Sequence, residues 1–211
     1  MSASFASPAQ AYATLMEGNR RFVDDERSHP NQGADRRSAL TSGQAPFGVL
    51  FGCSDSRLAA EILFDRGLGD LFVVRTAGHV SGPEVLGSIE YGVGVLGTPL
   101  VVVLGHDSCG AVGAAAKTCS EGESPGGHIR DVVERVTPSV LAARAAGATE
   151  TSQLVDEHVR RTADLLLERS PLISSEVTAG RCAVVGLSYQ LEEGSLRLVS
   201  SHGPLTEGAT T

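Results

Sequence analysis

The chain has 211 residues, of which 41% are hydrophobic, enough for one sizeable core but short for two domains. Its formal net charge of −8 argues against nucleic acid or an anionic membrane as a partner. No secretory signal is visible, and no apolar run reaches the roughly 18 residues of a membrane helix, so we expect a cytoplasmic protein.

The N-terminal part is predicted to form a helix and an arm. Apolar residues recur at helical spacing over residues 8–24, with Pro8 at the start. Residues 25–45 are polar and rich in Asp, Arg, Ser and Gly, which indicates a loop or arm rather than part of the core. We therefore interpret residues 1–45 as the N-terminal helix and arm of a single domain that spans residues 1–211.

Strands and helices alternate after the arm. Short apolar runs predict five strands, at residues 47–51, 71–74, 100–104, 182–189 and 196–200. Helices are predicted at residues 58–64, 84–95, 109–117, 129–146 and 151–169, and a loop at residues 119–127. Continuous apolar strands separated by helices are typical of a parallel sheet covered on both faces. The predicted fold class is α/β, with a mainly parallel central sheet flanked by helices.

Three residues with metal-binding side chains follow two of these strands. Cys53 comes after the first strand, and His106 and Cys109 come after the third. Because the carboxyl ends of parallel strands meet at one edge of a sheet, these side chains can converge on one point. Zinc accepts two thiolates and an imidazole, and three protein ligands leave a fourth position open, as in catalytic sites. Cys119 and Cys182 have no such neighbours, and Cys182 is interpreted as a buried small hydrophobe.

Asp55 and Arg57 lie close to the same strand end. A guanidinium bound to the carboxylate through two hydrogen bonds would orient it and keep it ionised. As an exposed ion pair the two residues would contribute under about 1 kcal/mol. In a functional role, Asp55 either accepts a hydrogen bond from zinc-bound water or occupies the fourth zinc position and closes the site. The sequence leaves the open and closed forms undecided.

Two longer stretches resemble the signatures of the β-class carbonic anhydrases. They are CSDSRLAA at residues 53–60 and EYGVGVLGTPLVVVLGHDSCGA at residues 90–111, and the similarity extends over residues 8–200. The resemblance implies reversible hydration of carbon dioxide to bicarbonate and a proton, by attack of zinc-bound hydroxide. It assigns one Zn²⁺ per chain to Cys53, His106 and Cys109, with Asp55 and Arg57 as the catalytic or gating pair.

The same resemblance implies a substrate pocket and an oligomer. The positions that match the family's substrate-binding residues are Gln44, Phe72, Ala77, Tyr91 and Gly110. Members of this family form dimers or dimers of dimers in which the sheet continues across the interface. We therefore expect a homodimer or homotetramer that acts on a small molecule, with no nucleic-acid or membrane partner.

One regulatory feature of the family is incomplete in this sequence. Some bacterial members carry a tryptophan, part of a regulatory bicarbonate site, where this chain has Leu50, and the chain contains no tryptophan. Arg75 and Tyr189 match other parts of that site. Among the histidines, His79 is a candidate proton shuttle, and the others are predicted on loops or helix surfaces; they are His29, His128, His158 and His202.

Two other functions remain compatible with these residues. The same zinc site could act on another small linear substrate, such as carbon disulfide or carbonyl sulfide. Alternatively, Cys53 and Cys109 could serve a non-catalytic zinc-binding or redox-sensing protein. The presence of Gln44, Asp55 and Arg57 disfavours the second alternative, because a metal store has no use for them.

Overall fold

One five-stranded sheet forms the centre of the computed structural model, which describes residues 7–205. Its strands are β1 (Gly48–Cys53), β2 (Leu71–Thr76), β3 (Leu100–His106), β4 (Ala183–Tyr189) and β5 (Leu196–His202). The strand order is β2-β1-β3-β4-β5, and only β5 runs antiparallel to its neighbour. The predicted α/β fold with a mainly parallel sheet is therefore confirmed.

Eight α-helices connect or precede these strands within the described residues. They are α1 (Pro8–Val23), α2 (Ala34–Ala39), α3 (Ala60–Leu63), α4 (Pro83–Glu90), α5 (Gly110–Glu121), α6 (Ile129–Ala145), α7 (Thr151–Arg169) and α8 (Pro171–Thr178). Helix α1 begins where the Ser7 side chain accepts a hydrogen bond from the Gln10 amide, with Pro8 in the first turn. None of the helices in residues 7–205 is long and apolar enough to cross a membrane. The cytoplasmic location stays a prediction.

Three local features differ from the sequence-based expectations. The arm at residues 25–45 contains α2 and a 3₁₀ turn at Leu40–Ser42, although no residue of α2 is buried. Helix α8 was not predicted; Ser170 caps it, and Pro171 occupies its first position. The helix predicted at 84–95 is α4 followed by a π-helical turn at Tyr91–Val95.

Gly92 lies in that π-helical turn. A Cβ atom at this position would come within 2.4 Å of the Val49 side chain, so the lack of a side chain permits close packing on the sheet.

The two faces of the sheet carry separate hydrophobic cores. In β3, Val101 and Val103 belong to one core, whereas Val102 and Leu104 belong to the other, as the alternation of side chains along a strand requires. The first core includes residues of α4 to α7, and the second includes residues of α1 and α3. Strand β2 lies at one edge and is only half-buried along its whole length. The edge formed by β2 is therefore less covered than the centre of the sheet.

The buried carboxylate of Asp65 helps to hold the segment after α1 to the body of the protein. Asp65 is 2% exposed and accepts a 2.6 Å hydrogen bond from Nε of Arg21. It also accepts bonds from the amide and hydroxyl of Ser28, at 3.0 and 2.9 Å, and from the His29 amide at 2.9 Å. Burial alone would raise the pKa of Asp65, but these hydrogen bonds outweigh it and hold the pKa well below its ordinary value.

Candidate metal centre

Three side chains converge at the carboxyl edge of the sheet. Cys53 is the last residue of β1, His106 is the last residue of β3, and Cys109 directly precedes α5. Their potential ligand atoms all lie within 4.8 Å of one another, and all three residues are buried. Neighbouring parallel strands end side by side, so the topology explains why residues separated by more than fifty positions meet here.

The His106 imidazole is arranged as a metal ligand. Its Nδ1 lies 2.7 Å from the carbonyl oxygen of Asp107, which only accepts hydrogen bonds, so Nδ1 carries the proton. The lone pair is then on Nε2, which is buried and has no hydrogen-bond partner among residues 7–205. A buried nitrogen without a partner is costly. A metal ion between the three side chains would satisfy it.

A hydrogen bond between the two cysteine side chains shifts the pKa values of their thiols in opposite directions. A hydrogen bond from Cys109 lowers the pKa of the Cys53 thiol to about 4, and the same contact raises the pKa of Cys109. The Gly78 amide donates a further hydrogen bond to the Cys53 sulfur at 3.3 Å. A divalent cation would bind both sulfurs as thiolates, and thiolate with imidazole is a donor set that suits zinc. The residues present therefore fit a zinc ion.

Asp55 and Arg57 form a two-bond fork beside this cluster. Nε of Arg57 donates to Oδ1 of Asp55 at 2.9 Å, and Nη2 donates to Oδ2 at 2.7 Å. The Arg57 amide also donates to Oδ1, at 3.0 Å. These bonds hold the pKa of Asp55 well below its usual range. Oδ2 lies 3.9 Å from Nε2 of His106, so an ionised carboxylate faces the place where the three ligand atoms meet.

Two groups shape this edge in ways that the sequence analysis did not assign to them. Arg75 donates to the carbonyl oxygens of Cys53 and Asp55, at 2.9 and 2.5 Å, and so holds the turn after β1. Gly78 has a φ of +61°, which lets its amide point at the Cys53 sulfur. Neither role is visible without the register of β1 against β2, which places Cys53 opposite Thr76. Gly78, which comes two residues after β2, was the available signal in the sequence for a special backbone conformation.

Two of the five predicted substrate-binding residues lie at the metal centre. Ala77 directly follows Thr76, which pairs with Cys53, and it is exposed. Gly110 is the first residue of α5, next to Cys109, and it is also exposed. Both positions are therefore close to the cluster along the chain and open to solvent.

The other three lie near the amino ends of the strands, at the opposite end of the sheet from the metal centre. Phe72 pairs with Val49, four residues before the end of β1, a separation of roughly 13 Å along the strand. Tyr91 is 47% exposed and lies against Phe72, with ring centroids 6.1 Å apart. Gln44 is exposed and precedes β1. One chain therefore does not bring Gln44, Phe72 and Tyr91 to its own metal centre.

The histidine predictions were partly wrong. His158 is not on the surface but 3% exposed, because it lies on the same helical face as the buried residues Leu154 and Thr162. His202 lies at the end of β5, with Nε2 2.9 Å from the Asp164 carboxylate. His79 is 1% exposed and stacks on His158, and burial lowers its pKa well below the ordinary value. A ring buried in this way has no direct contact with solvent, which a proton shuttle needs.

The remaining cysteines lie outside the cluster. Cys182 is 1% exposed, and burial raises the pKa of its thiol to about 12, in keeping with a small apolar residue. Cys119 is half-buried on α5, and all four cysteines are free of disulfides.

The sequence of this chain is similar to those of carbonic anhydrases over most of its length. The model of the carbonic anhydrase family matches residues 48–196. Carbonic anhydrase 2 of Mycobacterium tuberculosis is 52% identical over 201 residues, which cover 95% of this chain and 97% of the relative. The carbonic anhydrase of Mycolicibacterium smegmatis is also 52% identical, over 96% of this chain and 98% of the relative.

Solved structures show a similar architecture. The β-carbonic anhydrase CcaA superimposes with a TM-score of 0.68 at 25% identity, over 92% of this chain and 99% of CcaA. The Coccomyxa β-carbonic anhydrase, solved in complex with acetazolamide, gives a TM-score of 0.70 at 22% identity, over 90% of this chain and 87% of the other. The second comparison supports the fold alone.

Proposed function

The chain belongs to the β-class carbonic anhydrase family, and from this premise we propose that it hydrates carbon dioxide reversibly at a zinc ion. The products are bicarbonate and a proton. The proposed ligands are Cys53, His106 and Cys109, with one zinc ion per chain. The observation that carries the proposal is the buried cluster of three ligand atoms with an ionised carboxylate beside it.

Zinc would contribute one chemical property that the side chains lack. When bound, it lowers the pKa of water from 15.7 toward about 7, which makes hydroxide available near neutral pH. Two thiolates donate more charge than neutral imidazoles would, and this weakens the acidification. The Asp55 carboxylate could assist by accepting a hydrogen bond from the attacking oxygen.

Asp55 is proposed to orient the attacking oxygen by accepting a hydrogen bond from it. A carboxylate with so low a pKa is too weak a base to keep the proton, which leaves to solvent. Arg57 holds both carboxylate oxygens, so the carboxylate stays ionised and keeps one direction toward the cluster. A hydrogen bond accepted at Oδ2 would turn a lone pair of the attacking oxygen toward the carbon of the substrate. Occupation of the fourth ligand position by Asp55 is the alternative, a closed form of the same site. It requires the carboxylate to leave the Arg57 fork.

A homo-oligomer is proposed to complete the substrate pocket. Three of the predicted pocket residues lie near the amino ends of the strands, away from the cluster of their own chain; they are Gln44, Phe72 and Tyr91. A second copy related by a two-fold axis, with its β2 antiparallel to the first, would bring the start of one β2 to the end of the other. The half-buried β2 edge and the exposed Tyr91 ring support this arrangement. Each pocket would then combine residues of two chains.

Stopped-flow measurement of carbon dioxide hydration tests the proposal. The protein is loaded with zinc, its metal content is measured, and turnover is recorded at about pH 7 and above pH 8, so that a closed form at the lower pH is not mistaken for inactivity. Turnover that chelation abolishes and zinc restores is the expected result. Absence of turnover at both pH values, with one zinc per chain, would contradict the proposal and would favour another small linear substrate.

A further inference from the structure

A second pocket lies between α6 and α7, apart from the proposed metal ligands. Its volume is about 270 Å³, and none of Cys53, His106 and Cys109 lines it. Part of its wall is apolar, formed by Val80, Pro138 and Leu165. The space accommodates a small molecule of several non-hydrogen atoms but no folded segment.

The lining of this pocket is positively charged. Arg135 of α6 and Arg161 and Arg169 of α7 line it, against the single carboxylate of Glu134. The chain as a whole has a net charge of −8, so this local excess of positive charge runs against the average.

These guanidinium groups are not neutralised by acidic side chains. Within residues 7–205, Arg161 and Arg169 form no salt bridge, and the one hydrogen bond of Arg135 is to the carbonyl of Ser81, at 2.8 Å. By contrast, Arg160 on the same helix is paired with Glu157. Three arginines that face one cavity without carboxylate partners are arranged to bind an anion.

The pocket has a polar floor that is already ordered. His158 and Ser139 are each 3% exposed, and the Ser139 hydroxyl lies 2.9 Å from Nδ1 of His158. Nε2 of His158 donates to the Gly78 carbonyl at 2.7 Å, and burial lowers the pKa of the imidazole, so the ring is neutral and its Nδ1 accepts from the hydroxyl. Thr162 is also 3% exposed, and it is one of the residues that line the pocket. A ligand oxygen could bind its hydroxyl.

We propose that the pocket between α6 and α7 binds a small organic phosphate or carboxylate, and that its floor transmits binding to Cys53. The guanidinium groups match the oxygens of either anion in pairs, and the apolar wall accommodates the rest of the molecule. The transmission, unlike the binding, rests on the proposed metal centre.

The route to the metal centre consists of two hydrogen bonds. His158 binds the carbonyl of Gly78, and the amide of the same residue donates to the Cys53 sulfur at 3.3 Å. A ligand that moves α7 moves His158 with it and changes the position of the Gly78 amide. The charge density on a proposed zinc ligand then depends on occupancy of a pocket outside the catalytic cluster.

Isothermal titration calorimetry with the metal-loaded protein tests the binding. The probes are inorganic phosphate and phenyl phosphate, and the variant is Arg135→Gln with Arg161→Gln. The control is Arg144→Gln with Arg160→Gln, which removes one arginine from each of the same two helices outside the pocket. Binding should weaken at least about tenfold in the pocket variant and remain unchanged in the control, since a hydrogen bond to a charged group contributes about that much.

Two further measurements complete the test. The visible absorption of the cobalt-substituted protein should shift on addition of phenyl phosphate in the control and not in the pocket variant. Equal binding in the two variants, or none in the wild type, would overturn the proposal whatever the turnover. Light scattering measures the oligomeric state of the pocket variant. Dissociation of its oligomer would also overturn the proposal, because it would assign the arginines to a contact between subunits. Binding without a spectral shift would overturn the transmission alone.

Discussion

Oδ2 of Asp55 lies 3.9 Å from Nε2 of His106 while Arg57 holds the same carboxylate through two hydrogen bonds. Two ligand atoms of a tetrahedral zinc site with bonds of about 2.0–2.1 Å are roughly 3.3 Å apart. At 3.9 Å, Asp55 is therefore placed to contact a molecule at the fourth position more readily than to fill that position. On this distance we propose the open form of the site.

Asp55→Asn should remove most of the turnover and leave the zinc content unchanged. The amide keeps the size of the side chain but loses the charge that forms the fork with Arg57 and attracts the hydrogen bond of the attacking oxygen. We expect a loss of roughly 10²-fold or more in kcat/KM, measured by stopped flow with metal analysis of the same sample. Asp25→Asn is the matched control, because Asp25 and Arg27 form an Asp-x-Arg pair far from the cluster. Normal turnover of zinc-loaded Asp55→Asn would remove Asp55 from the mechanism.

Subunit complementation should show that Gln44 acts in the site of a partner. Gln44→Ala and Asp55→Asn are each expected to be weakly active. If each pocket uses Asp55 of one chain and Gln44 of the other, a mixed dimer contains one intact pocket and one with both changes. An equal, randomly assorted mixture should regain about a quarter of the wild-type activity. Reassortment by co-expression followed by stopped flow gives the answer, and a mixture no more active than the mean of its parents would place Gln44 in its own chain's site or outside the site.

Gly78→Ala should damage both stability and metal binding. The residue has a φ of +61°, and an added Cβ would lie 2.6 Å from that of Ala111. Gly97→Ala is the control, since Gly97 has a φ of +68° with open space around it, and left-handed backbone strain alone costs about 1–2 kcal/mol. Urea unfolding and competition for zinc with a chelator should show a larger loss of stability for Gly78→Ala, and weaker zinc binding for this variant only. Equal effects of the two substitutions would exclude a special role for Gly78.

Asp65 should make the stability depend on acid pH. Its pKa is lower in the folded protein than the ordinary value near 4, so its stabilising effect is complete above about pH 5 and is lost as the pH falls below 4. Asp65→Asn should lower the free energy of unfolding by at least about 2 kcal/mol at pH 7, and by less at pH 4 and below. Urea titrations of the wild type and the variant, at one protein concentration, measure this difference in the free energy of unfolding. Metal loss at low pH affects both proteins alike and so does not change the difference. A gap that does not change with pH would show that the carboxylate charge is irrelevant.

The strands and the ligand set were accessible from the sequence because their signals are local. The run at 100–104 and the residues just after it predict β3 and two of the three clustered side chains without knowledge of any long-range contact. His158 also had a local signal that was overlooked, since Leu154 and Thr162 lie four residues away on either side.

Other features depend on the register between neighbouring strands. The contact of Arg75 with the Cys53 carbonyl exists only because β2 lies beside β1, and a parallel register is not encoded in either strand alone. The distance of Phe72 and Gln44 from the cluster likewise follows from which end of β1 each residue is near. The family resemblance groups these residues with the cluster as parts of one site. In the folded chain they lie near opposite ends of the strands.

The two hydrogen bonds from Arg75 have a consequence for how the protein acquires its metal. They fix the carbonyls of Cys53 and Asp55 from a neighbouring strand, through atoms that are not proposed metal ligands. The turn that carries the cluster is thus preorganised, and little of the metal's binding free energy is spent on ordering the chain. In zinc fingers, by contrast, binding the ion is the folding reaction. Removing the metal here should leave an empty but shaped receptor that reloads without refolding.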